Sequence, residues 1–519
     1  MASQISKERV AAQFLENNTR LLNPSQPLIA LCRGVTPPSP PFLRARVVSC
    51  EPGAFRDAPT ISANTPPSFP EQPMQFEEAV QYLLGLGHET LTIKLGLRTT
   101  ELLLQTLDNP ERAFPAVQIA GTNGKGSTAV VLDSICRSAG IKTGLYTSPH
   151  LVSMTERVKI NGIDISPDTF ANLTTQVRNA AYKLVENEQL EALPTFFEQV
   201  TAIALLAFRE ARVDLAILET GLGGRLDSTT AANAGIVAIT QIAFDHEEYL
   251  GNTLESIAGE KAAIIRPGVS AIVAAQTPEA LAVVLHQSEA SNVKPLLDGC
   301  SWEVNRTTED GRLCVTFVTA EHKYEQVWLG LRGRHQIGNV ALSIQLAEEI
   351  RSRGLQIPDS AVVAGIETAT HPGRLELIPG SPALLLDGAH NPAGAESLRA
   401  FLDEFGRRPL TVIFGTMRDK RLEQMAEILL PAADNVVLTS IKNPRAAAID
   451  LLKPIARRFK SQTAIATASS SSEALRIAKE KTTPDGLICI TGSLYLIGEL
   501  RPRVLKSTRA EVAISSTGS

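Results

Sequence analysis

From Met74 onward, short apolar runs of strand length alternate with longer stretches of helical period. Val117-Gln118-Ile119-Ala120, Leu215–Leu218 and Ile236–Ile239 read as strands, and Thr195–Arg212 and Leu254–Ile264 as helices. Strands that are apolar throughout and interleaved with helices predict an α/β fold, a parallel sheet covered by helices on both faces. A second such set begins near residue 340. Its expected strands are Ala383–Leu386, Leu410–Phe414, Asn435–Leu438 and Leu487–Ile490, and its helices include Ile337–Arg353, Ala393–Glu404 and Ser471–Lys481. Between the sets, Trp302–Leu329 carries short β-like runs, and no internal repeat is visible.

The first 73 residues follow a different pattern. They hold 12 of the chain's 31 prolines, which fix φ and remove backbone donors, so an extended or disordered leader is expected. A short helix near Lys7–Leu15 is expected within it. No apolar segment beside a basic one marks a secretory signal. Arg9, Arg20, Arg33, Arg44 and Arg46 leave an organellar transit peptide open, and Met74, opening "MQFEEAVQYLLGLG", is an alternative start.

Composition narrows the function. The 519 residues are 44% hydrophobic and 20% charged, as in globular chains with ample cores. A net charge of −5 and 5% aromatic content argue against a nucleic-acid partner. No apolar run is long enough to span a membrane. The six cysteines show no CxxC spacing, which argues against a zinc ribbon or disulfide scaffold and suits a cytoplasmic setting.

The strongest local signal is the strand–loop–helix "VQIAGTNGKGSTAVVLDSIC" at 117–136. Gly121, Thr122, Asn123, Gly124, Lys125, Gly126, Ser127 and Thr128 form a variant phosphate loop. Glycines let backbone N–H groups curl around phosphates, the helix N-terminus and Lys125 add positive charge, and Ser127 or Thr128 offers a hydroxyl to Mg²⁺. It departs from the commonest pattern: Ile119 and Ala120 precede the loop without the usual first glycine, and Gly126 stands where Ser or Thr follows the lysine.

Other strand ends carry acids. Glu219 closes an apolar strand before "TGLGGRLD", a crevice position suited to a hard cation bridging phosphates. Asp245-His246 and Asp387-Gly388 repeat that logic. Arg374 offers a planar fork for phosphate, and Asn339 reads equally as a helix cap or an adenine contact. Lys261 lies on an amphipathic helix and Ser148 in a Ser-Pro turn, neither chemically distinctive alone.

In order, "GTNGKGS", "TSPHL" (146–151 with Tyr146), "ERVKING" (156–162), "TFFE" (195–198), "ETGLGGRLD" (219–227), "DH" (245–246), "EKA" (260–262), "HQIGN" (335–339), "PGRLE" (372–376), "DGAHNPAG" (387–394) and "TGSLYLIGE" (491–499) resemble the folylpolyglutamate synthase/dihydrofolate synthase family of the Mur ligase superfamily. The resemblance spans residues 74 to about 502. It implies a P-loop domain at 74–332, a smaller Rossmann-like domain at 333–505 and a flexible tail at 506–519. It also implies an ATP-dependent amide ligase: ATP phosphorylates a pteroate or folate carboxylate, and the acyl phosphate is attacked by the amino group of L-glutamate. The expected partners are thus small molecules (ATP, L-glutamate, dihydropteroate or reduced folate), and a monomer is expected.

Carried over by position, Gly121 to Thr128 would cradle ATP, with Lys125, Glu219, His246 and Lys261 as the catalytic set. Ser148, Glu219, His246 and Lys261 match metal positions for Mg²⁺, expected as two ions, and Lys261 the lysine that this family carbamylates. K⁺ is a further expected ion. Asn339, Arg374 and Asp387 match nucleotide positions. Thr195, Phe196, Phe197, Glu198 and Asp227 match positions lining the pterin site, and His390 and Ser493 the region of the incoming glutamate. The chain departs from the family pattern at His371, where tryptophan is usual, and at Arg421, where an acid commonly follows Asp419-Lys420. The competing readings are a cell-wall Mur ligase, which the position of the loop at residue 121 argues against, and a nucleotide-binding protein without ligase activity. Whether one acceptor or both are used stays open, with the bifunctional reading preferred.

Overall fold

The computed structural model describes residues 73–87, 96–297 and 299–516, with side chains as far as 506. The helix expected near Lys7–Leu15 lies outside the described residues.

The first sheet has eight strands in the order β4-β3-β2-β5-β1-β6-β7-β8. They are β1 (Ala116–Ala120), β2 (Thr143–Tyr146), β3 (Val158–Ile160), β4 (Ile163–Asp164), β5 (Leu215–Glu219), β6 (Ile236–Ile239), β7 (Ser270–Val273) and β8 (Leu296–Leu297). Strands β2, β5, β1, β6, β7 and β8 run parallel, and β3 and β4 add an antiparallel edge. Period-two alternation sends successive side chains to opposite cores. Val117, Ile119 and Ile217 enter the core beneath the helix Lys125–Ser138, while Ala216 and Leu218 enter the one beneath Pro167–Glu186 and Phe196–Ala211. Both faces being buried is why these strands read as unbroken apolar runs.

The β-like stretch forms a three-stranded antiparallel sheet of β9 (Cys300–Thr307), β10 (Leu313–Thr319) and β11 (Lys323–Trp328). The helices His335–Ser352 and Asp359–Thr368 pack on Lys125–Ser138 and on this small sheet. The helix expected to open the second α/β set therefore lies against the first. Its buried face, Val340, Ala341, Ile344 and Ala347, belongs to the same core as Ile119 and Ile135.

The second sheet runs β12-β13-β17-β14-β15-β16, from β12 (Glu376–Ile378), β13 (Ala383–Leu386), β14 (Leu410–Phe414), β15 (Asn435–Thr439), β16 (Ile465–Ala468) and β17 (Leu487–Thr491). Only β12 is antiparallel. Leu385 and Val412 face one core, Leu384, Leu386 and Ile413 the other. The last helix, Leu494–Ser516, continues through residues expected to be a flexible tail. Buried Leu496, Ile497, Leu500 and Val504 anchor its start, and residues of fair helix propensity prolong it. The carboxyl ends of both parallel sheets converge on one cleft, where ligands of open α/β sheets bind.

Candidate active site

Strand β1 delivers the chain into the loop at Gly121, and the loop turns into the helix at Gly124. Gly124 holds φ +92, and a Cβ there would lie 2.2 Å from the Asn339 side-chain oxygen, so no other residue fits without strain. The loop is laced to the exit of β6: the Thr122 and Asn123 N–H groups donate to the Gln241 carbonyl at 2.9 and 3.2 Å. The Thr122 hydroxyl donates to the Ala243 carbonyl at 2.9 Å. Lys125 Nζ donates to the carbonyls of Gly121 and Thr122 at 3.1 and 3.2 Å, placing its charge at the mouth of the loop.

Around this loop lies a cavity of about 300 Å³, walled by both sheets. Its lining includes every predicted catalytic, nucleotide, metal and substrate residue except Thr128. Thr128 is fully buried one turn into the helix, its carbonyl accepting from the Ser343 hydroxyl at 3.1 Å.

Glu219, at the end of β5, is buried and accepts the Ser148 N–H at 3.1 Å. Burial raises its carboxyl pKa, and Lys125 pulls against that rise. Its two oxygens lie 3.3 and 3.4 Å from where a Cβ on Gly126 would sit, so the glycine lets the carboxylate approach the first turn of the loop helix. Among the described residues no three His, Cys, Asp or Glu side chains gather into a metal cage. One buried carboxylate, a hydroxyl and a neutral imidazole beside a phosphate loop instead fit a hard cation that takes its remaining ligands from substrate phosphates and water.

Burial holds the His246 imidazole down at about 3, against the pull of Asp245, so its ring is neutral and able to ligate. Lys261 is 4% exposed and donates to the Gly121 carbonyl at 2.8 Å. Burial, then the neighbouring Lys125 charge, lower its ammonium to about 7, which leaves a large neutral fraction near neutral pH.

Three predicted pterin-site residues have local structural duties. Thr195 and Glu198 form a reciprocal capping box at the start of Phe196–Ala211, with Thr195 N–H donating to Glu198 Oε2 at 2.6 Å. Asp227 accepts the Gly221 and Leu222 N–H groups, both at 2.9 Å, and the Thr229 hydroxyl at 2.5 Å, which fixes the glycine-rich turn. The Phe196 ring is buried under Arg157, and the Phe197 ring covers Gly221. Asp387 likewise accepts backbone N–H groups, from Leu375 at 2.9 Å and Ala389 at 3.0 Å.

A further cluster, in which Asn391 and Lys420 have no role predicted from sequence, lies where the two sheets meet. Asp245 accepts Lys420 Nζ at 2.6 Å and Asn391 Nδ2 at 3.2 Å, and His390 Nε2 lies 3.4 Å away. The hydrogen bond from His390, then the Lys420 charge, hold its carboxyl well below the usual range despite burial. Asn391 also donates to the Asn123 side chain at 3.1 Å, tying the second sheet to the phosphate loop. Arg421 pairs with Glu247 through two contacts of 2.8 Å and lies 4.8 Å over the Phe244 ring. His371 Nδ1 lies 3.3 Å from the Ser127 hydroxyl, and burial holds that imidazole at about 3. The signal for Asp245 was its strand-end position beside His246. Lys420 partners a residue 175 positions away and left none, and Arg421, 174 positions from Glu247, showed only as a departure from the family pattern.

The chain matches the Mur ligase middle domain over residues 119–347 and the Mur ligase glutamate ligase domain over 373–494. It is 36% identical over 426 residues to the dihydrofolate synthase/folylpolyglutamate synthase of Bacillus subtilis, covering 80% of this chain and 97% of that protein. Among solved structures, the Mycobacterium tuberculosis folylpolyglutamate synthase complexed with ADP superposes with a TM-score of 0.77 at 31% identity, covering 83% of this chain and 98% of that one. The bifunctional folylpolyglutamate synthase/dihydrofolate synthase of Yersinia pestis, complexed with AMPPNP and a Mn ion, gives 0.72 at 26%, covering 85% and 100%.

Proposed function

This chain belongs to the folylpolyglutamate synthase/dihydrofolate synthase family of Mur ligases, and from that premise we propose that its cleft joins L-glutamate to a pteroate or folate carboxylate at the expense of ATP. The observation that carries this reading is one cavity holding the phosphate loop, Glu219, His246 and Lys261 on one wall and Arg374, Asp387, His390 and Ser493 on the other. The non-catalytic reading loses ground to it because the ligase elements gather at one cleft, and the cell-wall reading because the relatives are folate ligases.

The chemistry asks mainly for position and charge. Backbone N–H groups of Gly124 to Ser127 and the Lys125 ammonium hold the transferring phosphoryl group and offset its charge. Ser148, Glu219, His246 and Lys261 are the residues that would hold divalent metal, two Mg²⁺ ions in this reading. Divalent metal held there would supply positive charge to offset that of the transferring phosphoryl group. A neutral amine at Lys261 is the form that would add carbon dioxide, forming the N–C bond and releasing one N–H proton to water, and the carbamate would offer an anionic oxygen where an ammonium is repelled. Arg374 and Asn339 orient the nucleotide. Asp387 fixes the turn that presents His390. Phe197 and the turn held by Asp227 shape the wall against which the pterin lies. The contacts of Asp245 and Asn391 close the cleft and keep water from the acyl phosphate until the glutamate amine attacks. K⁺ as a further ion, a cytoplasmic location and action as a monomer belong to the same reading. No described helix is long and apolar enough to cross a membrane. We place the change from one domain to the next in the segment leading into β12.

Both acceptors belong to the proposal, since they share the pterin-aminobenzoate body. The test is glutamate-dependent ADP release by the full chain with Mg²⁺ and bicarbonate, comparing 7,8-dihydropteroate with tetrahydrofolate. Release with both is expected. Release with one assigns a single step, and release with neither from folded protein overturns the reading.

A further inference from the structure

His371 stands one position before Pro372-Gly373-Arg374, in the segment that leads from the helix Asp359–Thr368 into β12. It lines the main cavity beside Ser127, Glu219 and Arg374. Its Nδ1 lies 3.3 Å from the Ser127 hydroxyl, the one hydrogen bond its ring makes among the described residues. A Cβ on Gly126 would meet His371 Cε1 at 2.9 Å as well as the Glu219 carboxylate, so the glycine that follows Lys125 also makes room for this ring. Of the two hydroxyls that come next, Thr128 is fully buried outside the cavity lining, and Ser127 is the one upon it. The turn that carries His371 is held without help from Ser127. The Arg374 N–H donates to the His371 carbonyl at 3.2 Å, the Gly388 N–H to the Gly373 carbonyl at 2.8 Å, and the Gly373 N–H to Glu376 Oε2 at 2.8 Å. Glu376 is in turn gripped by the Arg501 guanidinium at 2.8 to 3.1 Å.

An imidazole on a pinned turn can fix a hydroxyl that otherwise rotates freely. Resting on the ATP-binding part of the ligase reading above, we propose that His371 is a positioning residue: it orients the Ser127 hydroxyl toward the nucleotide phosphates and couples the phosphate loop to the turn that carries Arg374. The ring occupies one hydrogen-bonding direction of Ser127 Oγ and leaves the others to the cavity. The contact spans 244 positions and joins the loop wall to the segment between the two sheets. Ser127 and Arg374 are thereby held at a fixed spacing on one cavity. Tryptophan, usual at this position in the family, offers an N–H donor on a larger ring and no acceptor, so the arrangement is particular to this chain.

The test compares full-length wild type with His371→Phe, which keeps a ring and loses the hydrogen bond, and His371→Asn, which loses the ring and returns a polar group near the position of Nδ1. ADP binding is measured by calorimetry with Mg²⁺ present, and KM is measured for ATP and L-glutamate. His371→Phe is expected to weaken ADP binding and raise the KM for ATP about 3- to 10-fold, the worth of one uncharged hydrogen bond, with the KM for L-glutamate within about twofold. His371→Asn should recover most of that loss. A ring that merely fills space predicts the opposite order, phenylalanine near wild type and asparagine impaired, and that order overturns the proposal. In a Ser127→Ala background His371→Phe should have no further effect on ADP affinity, and additive losses overturn the link to Ser127. His371→Gln, whose amide reaches the position of Nε2 instead, should match phenylalanine and replaces it if that variant does not fold. ADP affinity is read apart from turnover. A folded wild type that binds ADP and makes no glutamyl product removes the ligase reading, while the order of the variants still decides the role of His371.

Discussion

Lys261 shows how one side chain's surroundings set its chemistry. A lysine buried to 4% exposure beside a second ammonium is a poor cation, and its pKa of about 7 follows from that. Lys261→Ala is expected to lower kcat at least ~100-fold, as loss of one positioned catalytic charge does, with partial recovery on adding short carboxylates that restore the anionic oxygen. Unchanged kinetics would contradict its role. His371 makes a stability prediction. Its folded pKa of about 3 lies below the ordinary histidine value of 6.5, so between those values the unfolded state binds the extra proton. Stability is therefore expected to fall as pH drops from about 6.5 toward 3, at up to about 1.4 kcal/mol per pH unit for this group. Denaturant titrations of wild type and His371→Phe across that range check it: the wild-type curve should be the steeper, and parallel curves would contradict the buried neutral imidazole. From sequence, His371 was visible only as a departure from family pattern, because its contact with Ser127 spans 244 positions.

At the scale of elements, local pattern was informative wherever local physics decides. Ile236–Ile239, Ala383–Leu386 and Leu410–Phe414 have the bounds their apolar runs predict, because strands buried on both faces carry their own signal. The phosphate loop was legible for the same reason, since glycine spacing is itself the backbone requirement. Less legible was the allegiance of the helix His335–Ser352, buried broadly round its surface and so equally suited to either sheet. Thr195 and Glu198 carried a capping-box spacing that explains their pairing as well as a pterin role does. Gly124 yields a test of the loop. Alanine there meets φ +92 and the Asn339 oxygen 2.2 Å from its Cβ. We expect Gly124→Ala to cost about 1–2 kcal/mol from the left-handed backbone alone, and to raise the KM for ATP well above that for glutamate. Equal thermal midpoints and an unchanged KM would show that the loop is not held as described.

For the whole molecule, the central feature is a cleft whose two walls come from separate sheets and are clasped by Asp245. Asp245 was legible as a strand-end acid, but the clasp was not, because Asn391 and Lys420 are ordinary polar residues until folding brings them to it. Lys420 is the buried partner, 12% exposed against 9% for Asp245, whereas Arg421 and Glu247 are 39% and 30% exposed. Lys420→Met is expected to destabilise by about 3 kcal/mol, since it leaves a buried carboxylate with Asn391 and His390 but without its buried ammonium partner. Arg421→Met should cost about 1 kcal/mol or less, the value of an exposed pair with a cation–π contact. Chemical denaturation of both variants checks the order, and the reverse order would contradict the clasp. The account as a whole rests on glutamate ligation through an acyl phosphate, and isotope transfer tests that most directly. With the acceptor carboxylate labelled with oxygen-18, turnover in the presence of ATP and L-glutamate should release inorganic phosphate carrying one labelled oxygen, alongside acceptor one glutamyl residue heavier. Glutamyl product accompanied by unlabelled phosphate, or ADP release with no such product, would contradict it.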